Sequence, residues 1–245
     1  MYSCVVSDIA GRLRDVRAQI EQALARSERP PSSVRLIAVS KTKSADDIRA
    51  AYEAGQRDFG ENYVKELETK VEALSDLTDL RFHLIGHLQR NKAKLAARLA
   101  DTIHTVDSVR LVEELGKRVL EPHRATSTPT PSMGGEQRLA VLVEVNVGGE
   151  AQKSGCAPED LDAILDAIET SPGLRLTGLM TVPPFTEDPA DARPYFDTLA
   201  KLRNEHGGAE RLPELSMGMS HDMEQAIFAG ATMVRVGRAI FGERH

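Results

Sequence analysis

The feature that most constrains this chain is a rhythm: eight short apolar runs, each separated from the next by a helical stripe. The runs fall at 34–39, 57–59, 81–85, 102–106, 139–146, 174–180, 214–217 and 231–236. Between them apolar residues recur at three- and four-residue steps, as in Val64, Leu67, Val71 and Leu74, which is the period of a helix with one buried face. Strict alternation of this kind predicts a parallel sheet with right-handed crossovers. Eight units close naturally into a barrel, and 245 residues is close to the roughly 250 of such a fold. The predicted class is α/β, a (β/α)8 TIM barrel. A doubly wound open sheet is the rival, but no G-x-G-x-x-G turn follows the first strand.

One extra N-terminal helix precedes the rhythm, with Ile9, Leu13, Val16, Ile20 and Leu24 on one stripe and Pro30 and Pro31 beyond its end. Ser44 and Asp47 spell a capping box for the helix that Gly55 ends. Pro158 suits a first helical turn, Pro194 sits in a first turn or kinks its helix, and Ser220 is read as the cap of a helix running to Ala229. One segment breaks the pattern. Residues 124–137 (RATSTPTPSMGGEQ) read as a flexible surface loop. No linker divides the chain, so one domain is expected over 1–245.

Composition excludes several classes. The net charge is −6, against the basic excess of a nucleic-acid binder. Cys4 and Cys156 are too few for a disulfide framework. The first residues show no export signal, and the apolar run at 139–147, broken by Glu144 and Asn146, is far short of the ~20 residues of a membrane span. A cytoplasmic protein that binds neither membrane nor nucleic acid is expected.

In a barrel of this type the functional groups gather where strands end. Those ends carry Ser40-Lys41, then Gly60-Glu61-Asn62-Tyr63, then the run from His83 to Lys92, then Met180-Thr181, then Ser216 to Ser220, then Arg235 to Arg238. A lysine attacks carbonyls only when its pKa, ordinarily about 10.4, is lowered by burial or a nearby cation. Lys41 fits that role or that of a solvated loop lysine, as Lys43 does. The last two loops suit phosphate: Gly218 and Gly237 let backbone N–H groups approach, Ser216 and Ser220 offer hydroxyls, and a helix begins there. Two tight turns with an ordinary cap explain the same residues. His83 and His87 lie across a strand end with no nearby partner in sequence, so no metal site is expected. Lys92, Lys94 and Arg98 read as a solvated helix face or an anion site.

Seven runs in order carry a family resemblance: LIAVSKTK around 37–43, FGENYVKE at 59–66, FHLIGHLQRNK at 82–92, KSGC at 153–156, GLMT at 178–181, LSMGMSHDMEQAI at 215–227 and VRVGRAIFGER at 234–244. Together they resemble the pyridoxal phosphate homeostasis proteins, fold-type III barrels similar to the N-terminal barrel of alanine racemase. The resemblance spans essentially the whole chain. It implies pyridoxal 5′-phosphate (PLP) as cofactor, held by Lys41 as an internal aldimine. It implies that Asn62 and His83 stand beside the ring and that Met180 packs on it. Ser216, Gly237 and the residue at 238 would serve the phosphate, Gly218 and Met219 would also contact the cofactor, and Arg235 would partner the pyridine nitrogen. Where the family usually has Thr or Ser, this chain has Arg238, which removes a hydroxyl donor and leaves the backbone N–H.

The same resemblance implies a carrier that buffers or delivers PLP to enzymes that require it, without robust turnover. An arginine at the ring nitrogen weakens the electron sink. Racemases of this fold type bring a second base from an additional β domain, for which 245 residues leave no room; a monomer is expected for the same reason. Three other readings stand beside this one. A PLP-dependent amino-acid racemase would need Tyr63 or His83 as its second base. A cofactor-free Schiff-base aldolase would act on a phosphorylated sugar. A non-catalytic protein-binding role could coexist with the carrier.

Overall fold

The structure, a computed structural model, describes residues 8–121, 138–150 and 152–242. Cys4 and the 124–137 segment lie outside them. Helix α1, Ile9–Arg26, comes first, with Asp8 accepting a hydrogen bond from the Gly11 N–H at 2.8 Å. The barrel then alternates β1 Arg35–Val39, α2 Ala45–Glu53, β2 Asp58–Glu61, α3 Val64–Ala73, β3 Arg81–Leu84, α4 Ala93–Leu99, β4 Thr102–Val106, α5 Val109–Val119, β5 Leu139–Glu144, α6 Leu161–Thr170, β6 Leu174–Met180, α7 Arg193–Glu205, the short α8 Gly208–Arg211, β7 Glu214–Met219, α9 Met223–Phe228, β8 Met233–Val236 and the short α10 Arg238–Phe241. All pairings are parallel, and β8 closes on β1, giving a closed eight-stranded barrel in chain order.

The helical stripes bury against the outside of the sheet, as their period requires. The Ile9, Leu13, Val16, Ile20 and Leu24 stripe of α1 lies in the main apolar cluster, with α1 packed on α9 and α10. Ile37, Ala140, Leu142, Met180 and Met233 are buried but stand apart from that cluster. With them are buried polar side chains, namely His83, His104, Ser216 and Arg235. Barrel interiors are usually filled by branched apolar side chains, so polar groups here point to a task other than packing.

Several expected boundaries move. Strand β2 is Asp58–Glu61 rather than 57–59, because Lys70 neutralises the Glu61 carboxylate and lets it be buried. Strand β7 runs on through Gly218 and Met219. At Gly218, φ is +90° and a Cβ would lie 2.5 Å from the Ala226 Cβ, so only glycine carries the strand beneath α9. Ser220 does not cap the next helix. Its N-cap is Asp222, whose carboxylate turns back to accept from the Met219 N–H at 2.6 Å, and Ser220 sits in the turn before it. The capping box at Ser44 and Asp47 is present as expected, and Pro194 occupies the first turn of α7.

Candidate functional site

Lys41 stands one residue beyond Ser40, where β1 leaves the barrel, and is half-buried. The chain on both sides of it is fixed. Lys70, reaching over from α3, donates to the Ser40 carbonyl at 2.7 Å, to Glu61 Oε1 at 2.7 Å and to Glu66 Oε1 at 2.6 Å. Ser40 Oγ donates to the same Glu61 oxygen at 2.6 Å. On the other side the Thr42 N–H donates to Glu66 at 2.5 Å, with Thr42 held at φ +64°. A left-handed threonine is a strained choice, held here by its own N–H bond to Glu66 and by the turn in which the Lys43 N–H donates to the Ser40 carbonyl at 3.0 Å. Lys43, by contrast, donates to the Phe241 carbonyl at 3.2 Å.

Register places the other candidates around this point. Ala38 pairs with Val236, so Gly237 and Arg238 follow on the strand beside Lys41. A Cβ at Gly237 would come 3.2 Å from the Val39 carbonyl oxygen. Met180 pairs with Ser216, and Ile37 with Arg235. Asn62 follows β2, and Gly86 is packed so closely on it that a Cβ would lie 2.3 Å from the Asn62 carbonyl oxygen. Met180, Ser216 and Gly218 are buried, Asn62 and Gly237 half-buried, and Met219 and Arg238 exposed.

A hydrogen-bonded chain crosses the barrel interior beneath this rim. Arg235 donates through Nη2 to the Thr181 carbonyl at 2.9 Å and through Nη1 to Ser216 Oγ at 2.7 Å. Ser216 Oγ lies 2.9 Å from His104 Nδ1, His104 Nε2 lies 2.9 Å from His83 Nδ1, and His83 Nε2 lies 3.0 Å from Asp58 Oδ1. Arg81 grips Asp58 with two bonds, at 2.9 and 2.7 Å. Thus His83 has an acidic partner after all, one that sequence distance conceals. Burial by itself would raise the Asp58 carboxyl, but the hydrogen bonds from Arg81 and His83 outweigh it and hold the group well below the usual carboxylate range. Burial above all, with the neighbouring His83 and Arg235 adding to it, pushes His104 well below the ordinary imidazole range. Burial lowers Arg235 to about 10, which still leaves it charged near neutrality.

Arg235 is 4% exposed, and its two bonds go to neutral oxygens. Buried charges are ordinarily paired, so this guanidinium suits a ligand that brings negative charge or a lone pair to the rim. Glu144, at the end of β5, is another buried carboxylate, raised by burial and accepting from Ser154 Oγ at 3.0 Å. The two candidate second bases differ. Tyr63 is 62% exposed, whereas both ring nitrogens of His83 are engaged in the interior chain. Cys156 is buried, its thiol pushed up to about 12 by desolvation, which fits an inert packing role. Among the described residues no group of metal-ligating side chains is clustered, and no helix is long and apolar enough to cross a membrane.

Sequence reasoning missed Asp58, Lys70 and His104, and gave Glu61 no role beyond its place at a strand end. For Asp58 and His104 the signal was present only as polar residues inside strands, such as the histidine of TIHTV in β4, whereas Lys70 lies in α3.

The family model described as alanine racemase, N-terminal domain, matches residues 12–245. The chain is 42% identical over 235 residues to a pyridoxal phosphate homeostasis protein of Aquifex aeolicus, covering 95% of this chain and 97% of that one. It is 40% identical over 245 residues to a protein of the same name from Escherichia coli K12, covering 98% of each. Among solved structures it is similar to PipY of Synechococcus elongatus PCC7942 with PLP bound, at a TM-score of 0.77 and 38% identity, covering 96% of this chain and 100% of that one.

Proposed function

The chain belongs to the pyridoxal phosphate homeostasis proteins, within the alanine racemase N-terminal domain family, and from that premise we propose that it holds PLP at the C-terminal rim of the barrel and buffers or delivers it. The observation that carries this reading is Arg235, a buried guanidinium whose hydrogen bonds among the described residues go to the neutral Ser216 hydroxyl and Thr181 carbonyl, with Asp222 and Glu144 acting on its charge without a hydrogen bond. A pyridine nitrogen offers the acceptor that such a group lacks. A phosphate offers the charge.

In this reading Lys41 holds the cofactor covalently through its ε-amine, and the bonds to Ser40 and Thr42 keep that lysine in place. Asn62, His83 and Met180 line the ring. Ser216, Gly218, Met219 and Gly237 serve the phosphate. At position 238 the backbone N–H at the start of α10 does so, while the exposed Arg238 side chain adds charge at the mouth. Bound PLP supplies an electron sink, strongest when its ring nitrogen is protonated. Arg235 donates a hydrogen bond there but keeps its proton, which favours holding the cofactor over turning it over. The candidate second bases support the same side: Tyr63 is largely exposed, and the His83 nitrogens are committed elsewhere. Delivery would exchange the amine of Lys41 for that of an acceptor, such as a PLP-requiring enzyme.

The test is the absorption spectrum of the protein after addition of PLP and removal of the excess, with wild type beside Lys41→Ala. A visible band in the wild type that is missing from the variant is expected; no band in either would end this reading. Release of α-deuterium from labelled amino acids at ordinary enzymatic rates, lost in Lys41→Ala, would favour a racemase-like enzyme over a carrier.

A further inference from the structure

The Ser216 hydroxyl has one proton, and the direction of that proton is set inside the barrel. Its Oγ accepts from Arg235 and faces His104 Nδ1 at 2.9 Å. His104 is wholly buried and held neutral, so it carries a single N–H. With that proton on Nε2, Nδ1 accepts and captures the Ser216 hydroxyl. With it on Nδ1, His104 donates to Ser216 and the hydroxyl is released toward another acceptor.

His83 decides between the two arrangements. In the first, His104 Nε2–H donates to His83 Nδ1, and His83 Nε2–H donates to Asp58; both rings are neutral and every proton is used. In the second, His104 Nε2 accepts, so His83 Nδ1 must carry a proton. His83 Nε2 faces, at 3.0 Å, a carboxylate that Arg81 keeps ionised, so it must carry one as well. His83 is then an imidazolium. The two arrangements differ by one proton.

We infer that His104 and His83 are positioning residues that couple anion binding at Ser216 to the uptake of one proton. An anion that takes the Ser216 hydroxyl as donor reverses the chain, and one solvent proton adds to His83; no other bond is made or broken. The inference rests on the reading of Ser216 as a phosphate contact. Asp58, the end of the chain away from Ser216, faces the other end of the barrel. Asp58 lines a cavity of about 490 Å³ there, together with Arg17, Arg35, Arg57 and Arg81. The charged groups around the histidine pair are Arg35 of β1, Asp58 of β2, Arg81 of β3, Asp101 ahead of β4, and Arg235 of β8. Asp101 is occupied in accepting from the Phe82 N–H at 2.7 Å, and Arg81 is occupied by Asp58.

Sulfate is the probe, because it does not itself titrate near neutrality. The intact protein is titrated calorimetrically at about pH 8, above the ordinary imidazole pKa, in two buffers of different ionisation enthalpy. About one proton taken up per bound sulfate is expected, with affinity falling as pH rises. His104→Asn and His83→Asn each replace an imidazole by an amide, which can donate or accept but takes up no proton near neutrality. Uptake per bound sulfate therefore falls to near zero in both. Ser216→Ala is expected to weaken sulfate about tenfold. No uptake in the wild type, or uptake that survives in both asparagine variants, overturns the coupling and leaves the phosphate site standing. Wild type that fails to bind sulfate, or Ser216→Ala that binds it equally well, overturns the phosphate reading and the coupling with it.

Discussion

Lys70 Nζ lies 2.7 Å from Glu61 Oε1, and the two side chains are only 6% and 0% exposed. The pair ties α3 to the end of β2, and through the Ser40 carbonyl it also fixes the residue before Lys41. Breaking a buried ion pair from one side strands the other charge, which typically costs several kcal/mol. Lys70→Ala is therefore expected to destabilise the protein by about 3 kcal/mol and to weaken PLP binding, because the segment carrying Lys41 loosens. Urea denaturation checks the first and spectroscopic titration the second. A loss below about 1 kcal/mol, the range of a surface pair, would show that Lys70 is not the tie it is taken to be.

Asp58 sets the acid limit of the interior chain. Its folded-state carboxyl lies below the unfolded value of about 3.9. The stability it contributes is thus fully present above that unfolded value and is lost as pH falls through the folded one. Asp58→Asn is expected to cost about 3 kcal/mol near neutrality, with the difference from wild type shrinking progressively below about pH 4. Denaturation curves for both proteins from neutrality into acid measure this. A difference that does not change with pH would mean that the loss is one of packing rather than of charge.

The barrel was legible because its signal is local: each helix announces its buried face within ten residues or so, and each strand is a short apolar run between turn residues. The rim candidates followed from knowing where strands end. The interior chain was not legible for the opposite reason. His104 and Ser216 are 112 residues apart, and His83 and Asp58 are 25 apart; only closure of the sheet brings them together. His83 looked partnerless in sequence, yet both of its nitrogens are engaged. The Ser220 cap failed because SHDM offers two capping residues, and the chain uses Asp222. Glu61 looked like a loop acid because nothing in FGENY shows that a lysine nine residues on will bury it.

Gly86 packs against Asn62 where the loops after β2 and β3 meet. A Cβ there would lie 2.3 Å from the Asn62 carbonyl oxygen and 2.7 Å from its Cα, both backbone atoms that cannot swing aside. Gly86→Ala is expected to destabilise by about 2 kcal/mol, as overpacking does, and to displace Asn62. If Asn62 lines the PLP ring, affinity for PLP drops in the same variant. Unchanged affinity together with the expected loss of stability would remove Asn62 from the site.

Arg235 is expected to separate stability from function. Its guanidinium is buried and bonded to two neutral oxygens, and burial lowers it to about 10 from an ordinary 12.5. Burying that charge works against the fold when no ligand is bound. Replacing buried ionic groups by apolar ones of similar volume is often neutral or stabilising. Arg235→Met takes a donor from the Thr181 carbonyl, a cost of about 1–3 kcal/mol, and another from the Ser216 hydroxyl, which still bonds to His104, but it removes a desolvation penalty of several kcal/mol. The ligand-free variant should therefore melt at or above the wild-type temperature. PLP raises the melting temperature of whatever binds it, so saturating PLP should shift the wild type upward and the variant little or not at all. Thermal unfolding of both proteins with and without PLP gives the four values needed. A ligand-free variant that melts well below wild type would mean that Arg235 serves the fold first, and a variant with an undiminished PLP shift would take Arg235 out of the cofactor site.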